Sequence, residues 1–108
     1  MKILLTGANG YIGKRILLEL LSSGHEVICC VRDKNRFSAP TAFPDQVKVI
    51  EVDFLKPEST VAIPKEIDGA YYLMHSMSSE GDYESKERST AINFTKALDS
   101  TDCQHVIY

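Results

Sequence analysis

Apolar residues along the chain fall into short unbroken or alternating runs and longer stretches where they recur at helical spacing. Lys2-Ile3-Leu4-Leu5 has the continuous apolar character of a strand buried on both faces. From Ile12 the pattern changes: Ile12, Ile16, Leu17, Leu20 and Leu21 recur as on one face of a helix, and Gly24 supplies a left-handed stop. Residues 25–31 are apolar and partly β-branched and predict a second strand, in which the adjacent Cys29 and Cys30 point to opposite faces. Residues 34–46 carry Pro40 and Pro44 with little periodicity, so this crossover is mostly loop. Alternation resumes at 47–52, a third strand that Asp53-Phe54 ends. A short helix is expected from Pro57 to Lys65, since proline suits a first turn and the helix must stop before Pro64. Ile67-Asp68-Gly69 reads as a turn into a fourth strand at 70–74. Residues 81–101 predict the last helix, with Asp82 as a cap and an apolar stripe of Ala91, Phe94, Ala97 and Leu98. Residues 103–108 open a fifth strand.

Five such strands separated by crossovers predict an α/β doubly wound parallel sheet of the Rossmann type. The expected strand order is 3-2-1-4-5 with right-handed crossovers, the sheet being left incomplete. Residues 1–108 are expected to form one dinucleotide-binding domain.

That binding expectation comes from the turn after the first strand, where Gly7, Gly10 and Gly13 stand at three-residue intervals. Gly7 permits a tight turn, Gly10 lets the backbone come close to a phosphate, and Gly13 lets the helix pack closely on the sheet. The first N–H groups of a helix have no internal partner and the dipole is positive there, so a pyrophosphate is a natural guest. A Walker-type phosphate loop, suggested by Gly13-Lys14, fails on two residues. Ala8 stands where that loop needs a glycine, and Arg15 where it needs a magnesium-binding hydroxyl.

Charge and composition narrow the partners. With 12 basic and 15 acidic residues the net charge is −3, which gives no electrostatic footprint for nucleic acid or an anionic membrane. No run reaches the length of a membrane span, and the chain enters its first strand without a charged leader, so a cytoplasmic location is expected. Three cysteines without Cys-x-x-Cys spacing and three scattered histidines, His25, His75 and His105, predict neither a disulfide framework nor a metal site.

The segment TGANGYIG resembles the TGxxGxxG turn of the short-chain dehydrogenase/reductase superfamily, in its extended and atypical branches, which include nucleoside-diphosphate-sugar epimerases. AYYLMHSMSS, followed by a helix containing Asn93-Phe94, resembles an atypical subgroup. The likeness runs over essentially all 108 residues but matches only the first half of such proteins. It implies cofactor contacts from Gly7, Asn9, Gly10, Tyr11, Ile12 and Gly13 in the turn, and from Met74, His75 and Ser76 after the fourth strand. His75 is a departure from the family's small residues there. NAD-preferring members carry an acidic residue where this chain has Val31, and Arg32 follows it. A guanidinium pairs with a 2′-phosphate that a carboxylate would repel, so the resemblance implies NADP, with NAD as the alternative. Lys34 and Arg36 either supplement Arg32 or are solvated. Asp53 and Phe54 match an acidic-hydrophobic pair that contacts adenine, or are a turn aspartate beside a core phenylalanine. Asn93 matches a position that braces neighbouring backbone.

The expected function is therefore that of the NADP(H)-binding half of an oxidoreductase moving a hydride between nicotinamide and a carbonyl or alcohol. The alternatives are a sugar-nucleotide epimerase with bound NAD, and a non-catalytic NADP(H) sensor. The superfamily's catalytic tyrosine, four residues before a lysine, has no counterpart here. The residues four after Tyr11, Tyr71, Tyr72 and Tyr83 are Arg15, His75, Ser76 and Glu87, so the chain alone is expected to be inactive. The substrate is an unspecified small molecule, and the uncovered fifth strand is expected to favour self-association.

Overall fold

The computed structural model describes residues 1–8, 10–38, 45–73 and 83–107. The chain begins with β1 (Lys2–Thr6), α1 (Tyr11–Ser22) and β2 (Glu26–Val31), then a 3₁₀ turn at Lys34–Arg36 and β3 (Val47–Glu51). A second 3₁₀ turn at Pro57–Ala62 leads to β4 (Gly69–Tyr71), α2 (Tyr83–Asp99) and β5 (His105–Ile107). The strands form one sheet in the order β3-β2-β1-β4-β5, and every pairing is parallel. This is the doubly wound arrangement that the alternation of strands and crossovers predicts.

The central strand explains the two layers. β1 is buried from Ile3 through Thr6, and its side chains alternate between the faces. Ile3 and Leu5 share one face with Val27, Cys29 and Val31 of β2, under Leu17, Leu20 and Leu21 of α1. Leu4 shares the other with Ile28, Cys30 and Ala70, under Phe94, Ala97 and Leu98 of α2. Phe94 anchors that second layer, its ring centroid 5.6 Å from Phe54 and 4.7 Å from Tyr72. Cys29 and Cys30 thus enter opposite layers, as strand geometry requires. Burial pushes the Cys29 thiol up to about 12. It pushes Cys30 up as well, with the neighbouring Cys29 adding to the shift.

Several boundaries differ from the sequence expectation for local reasons. The helix expected at 57–65 is a 3₁₀ turn ending at Ala62. The Ser59 hydroxyl donates to the carbonyls of Asp53 and Lys56, and the Thr60 hydroxyl to that of Pro57. Such side chains offer the backbone an alternative to α-helical bonding. Gly69, expected in a turn, is the first residue of β4, opposite Ile3 of β1 and His105 of β5. β5 starts at His105 rather than Cys103. Val52 lies just outside β3 although its N–H still donates to Val31 O at 2.9 Å. The expected cap Asp82 and the last residue Tyr108 lie outside the described residues.

Candidate functional site

The turn between β1 and α1 is built from backbone packed against backbone. Gly7 has φ +69°, a conformation that strains any residue with a β-carbon. A Cβ there would also stand 2.7 Å from the carbonyl oxygen of Leu73. At Gly13 a Cβ would meet the Gly7 carbonyl oxygen at 2.1 Å, so this glycine lets the start of α1 sit directly on the backbone that follows β1. Gly10 differs from both. It is the N-cap of α1 with extended backbone, its N–H donates to Gly7 O at 3.0 Å, and a Cβ would meet nothing closer than that oxygen at 3.4 Å.

No side chain caps α1, and its first turn holds no acidic residue. Within that first turn no carboxylate cancels the positive end of the dipole. Backbone N–H groups at such an end suit a phosphate, and Gly10 puts no side chain in front of them. Tyr11 and Ile12, the first residues of α1, have exposed side chains. These two line a groove of about 470 Å³ with Arg15, Ile16 and Tyr71. Arg15 donates to the Tyr11 hydroxyl at 3.3 Å.

One residue of this end was missed by sequence reasoning. Thr6 is fully buried; its hydroxyl donates to Tyr71 O at 2.7 Å and accepts from Leu73 N at 3.1 Å. It thereby ties the carboxyl end of β4 to that of β1, the two strands that flank the crevice of a doubly wound sheet. The available signal was a hydroxyl at the end of an otherwise apolar run, directly before Gly7.

The carboxyl ends of β2 and β3 form the neighbouring wall. Val31 is buried and Arg32 exposed. The Asp33 Oδ1 accepts from Asn35 N at 3.0 Å and the Glu51 Oε2 from Lys34 N at 2.9 Å. Asp53 Oδ1 accepts from Leu55 N at 2.9 Å, and Asp53 N donates to Ser59 Oγ at 2.9 Å, which is the geometry of a turn aspartate. The Phe54 ring is buried in the α2 layer, and its carbonyl accepts from Asn93 Nδ2. Asn93 thus braces backbone, as its resemblance implied. Glu51 was not singled out from sequence.

The structure therefore brings Gly7, Gly10, Tyr11, Ile12 and Gly13 together at the end of β1. Arg32, Asp53 and Phe54 follow the adjacent strands β2 and β3. Asn9, Met74, His75 and Ser76 lie outside the described residues. Among the described residues no three His, Cys, Asp or Glu side chains are grouped to hold a metal ion. None of the described helices is long and apolar enough to cross a membrane.

A parallel 3-2-1-4-5 sheet whose first strand runs through a glycine turn into a helix defines a dinucleotide-binding Rossmann domain. Residues 7–108 match the NAD(P)H-binding family, and the chain belongs to it. An uncharacterized protein of Saccharomyces cerevisiae is 34% identical over 73 residues, which are 68% of this chain and 24% of that protein. The UDP-N-acetylglucosamine 4-epimerase of Bacillus cereus superposes with a TM-score of 0.78 at 16% identity, covering 100% of this chain and 34% of that one. The glucuronic acid dehydrogenase of Chromohalobacter salexigens gives 0.77 at 19% identity, covering 99% and 39%. With these two the chain shares the fold, and it spans about a quarter of the yeast relative's length.

Proposed function

We propose that residues 1–108 are the cofactor-binding domain for NADP(H) in an oxidoreductase that moves a hydride between the nicotinamide and a carbonyl or alcohol. The observation that carries the preference for NADP is at the end of β2, where buried Val31 gives way to exposed Arg32. A guanidinium there pairs with a 2′-phosphate through charge-assisted hydrogen bonds. Membership of the NAD(P)H-binding family supports the dinucleotide itself. Dehydrogenase and epimerase chemistry both stand among the fold neighbours, and hydride movement at the nicotinamide is common to them.

When bound, the nicotinamide supplies the redox chemistry. In this reading the residues of the chain bind and orient. The N–H groups at the start of α1 take the pyrophosphate in front of Gly10, and Arg32 takes the 2′-phosphate. Asp53 and the Phe54 backbone border the adenine, and Thr6 fixes the strand ends that face the nicotinamide half. Asn9, Met74, His75 and Ser76 are assigned to the same cofactor surface by resemblance. The catalytic proton donor is assigned to a part of the protein beyond these residues, since no Tyr-x-x-x-Lys spacing occurs in them.

The test is a titration with NADPH and NADH followed by nicotinamide fluorescence. NADPH should bind more tightly, and Arg32→Ala should weaken it by about one to two orders of magnitude, as expected for a charge-assisted hydrogen bond, while leaving NADH nearly unchanged. Equal weakening of both, or a wild-type preference for NADH, would overturn the assignment.

A further inference from the structure

The turn that follows β2 is held in place by carboxylates, although a site for phosphate is expected to exclude negative charge. Glu51, the last residue of β3, stands in register with Val31, the last of β2. Its Oε2 reaches across to accept the Lys34 N–H at 2.9 Å, a bond spanning 17 positions of sequence. Asp33 Oδ1 accepts the next N–H, that of Asn35, at 3.0 Å, and Phe37 N closes the turn on Lys34 O at 3.2 Å. Phe37 then packs against the α1-side layer. The N–H groups of Lys34 and Asn35 are thus both occupied. Those two donors are not offered to a phosphate at this turn, whereas the side chains of Arg32 and Lys34 are exposed.

We propose that Glu51 is a positioning residue for recognition of the cofactor's 2′-phosphate: its bond to Lys34 N sets the path of the turn that carries Arg32 and Lys34. The proposal rests on the NADP(H) reading above. A carboxylate in this neighbourhood repels a phosphate, so Glu51 contributes to affinity only through the backbone it holds. Without that bond, a surface turn loses an anchor to β3 and its two cationic side chains must be ordered on binding, at a cost in affinity. Two other roles give different patterns. A carboxylate acting only as a repelling charge would make its removal tighten NADPH, and one accepting from ribose hydroxyls would make its removal weaken NADH.

The experiment compares the wild-type chain with Glu51→Ala, Glu51→Gln and Arg32→Ala. It measures Kd for NADPH and for NADH, and hydrogen exchange of the Lys34 amide without cofactor. Glu51→Ala should weaken NADPH about three- to tenfold, the order expected for losing one hydrogen bond, and leave NADH within about twofold. It should also speed exchange at Lys34. Glu51→Gln keeps an acceptor oxygen while losing the repelling charge, so it should bind NADPH at least as tightly as wild type and stay within about twofold in NADH affinity and exchange. Unchanged or tighter NADPH binding by Glu51→Ala, with Arg32→Ala still selective, would overturn the role of Glu51 and leave the NADP reading standing. Weakened NADH binding by Glu51→Ala would overturn it in favour of a ribose contact. Glu51→Gln weakening NADPH as much as Glu51→Ala while keeping slow exchange would overturn it, since a held turn would then not account for the affinity. Arg32→Ala weakening both cofactors equally would remove the NADP reading, and this proposal with it.

Discussion

The carbonyl oxygen of Gly7 lies directly under Gly13, 2.1 Å from where a β-carbon on Gly13 would stand, whereas the same oxygen is 3.4 Å from the equivalent point on Gly10. The two glycines therefore separate stability from binding. Gly13→Ala must push α1 off the turn and should lose about 1–3 kcal/mol, the usual cost of overpacking. Gly10→Ala should unfold within about 1 kcal/mol of wild type, since its β-carbon meets only ordinary contact distances, and yet lose at least about tenfold in NADPH affinity. Calorimetry and a fluorescence titration on the two variants check both halves. A Gly13→Ala protein as stable as wild type would contradict the packing, and a Gly10→Ala protein of full affinity would move the pyrophosphate elsewhere.

Thr6→Val keeps the shape of the side chain and removes its hydroxyl. The Tyr71 carbonyl and the Leu73 N–H then lose the partner that each has in Thr6. An unsatisfied buried polar group costs about 1–3 kcal/mol, so the urea midpoint should fall clearly, and exchange at the Leu73 amide should quicken. Thr6→Ser, which retains the hydroxyl, should recover much of the loss. Equal midpoints for wild type and Thr6→Val would show that the hydroxyl bridge contributes nothing net.

Alkali should destabilise this domain through its thiols. The folded Cys29 titrates near 12 against an ordinary value of 9.0, and Cys30 is also raised. Below pH 9 both states hold the proton and stability is unaffected; above it only the unfolded chain releases it. Stability therefore falls with rising pH by about 1.4 kcal/mol per pH unit for each thiol, until the folded thiol itself ionises. Urea midpoints between pH 8 and pH 10.5 should show this slope. A Cys29→Ala/Cys30→Ala variant, less stable at pH 8, should show a flatter one, and parallel slopes for the two proteins would refute the assignment.

Asn93 sits on α2 and donates to the carbonyl of Phe54 across the second layer. Asn93→Ala should cost about 1 kcal/mol. Asn93→Asp should cost more at neutral pH, because it sets a carboxylate against a carbonyl with no proton between them. Denaturant melts at pH 7 check the ranking; Asn93→Asp as stable as Asn93→Ala would mean that the bond carries no weight.

What could be read in the sequence follows from what leaves a local trace. Burial on both faces leaves an unbroken apolar run, so Ile3 to Leu5 and the opposed Cys29 and Cys30 were legible, and with the alternating run at 47–52 and the shorter runs after it they led to the strand order. Gly7 and Gly13 were legible because only glycine tolerates their surroundings. The Pro57–Ala62 turn was not, because its form depends on which carbonyls the hydroxyls of Ser59 and Thr60 choose. Thr6 and Glu51 were not, because their partners lie 65 and 17 positions away, and a hydrogen bond of that span imposes no pattern on either neighbourhood. For Asp53 both a turn role and an adenine role were compatible with the residue; its carboxylate bond to Leu55 shows the first and leaves its second oxygen for the other.

The placement of β1 between β2 and β4 also sets an order of events when the chain is made. β1 leaves the ribosome before the other strands of the sheet and gains β2 early, but the carbonyl that the Thr6 hydroxyl will meet is 65 residues behind it. At about 5–20 residues per second, synthesis leaves that edge without its partner for on the order of 3–13 s. The middle seam of the finished sheet thus closes only after β2 and β3 have emerged, with the β4–β5 edge following it, and until then the nascent chain presents an apolar strand edge of the kind that chaperones cover.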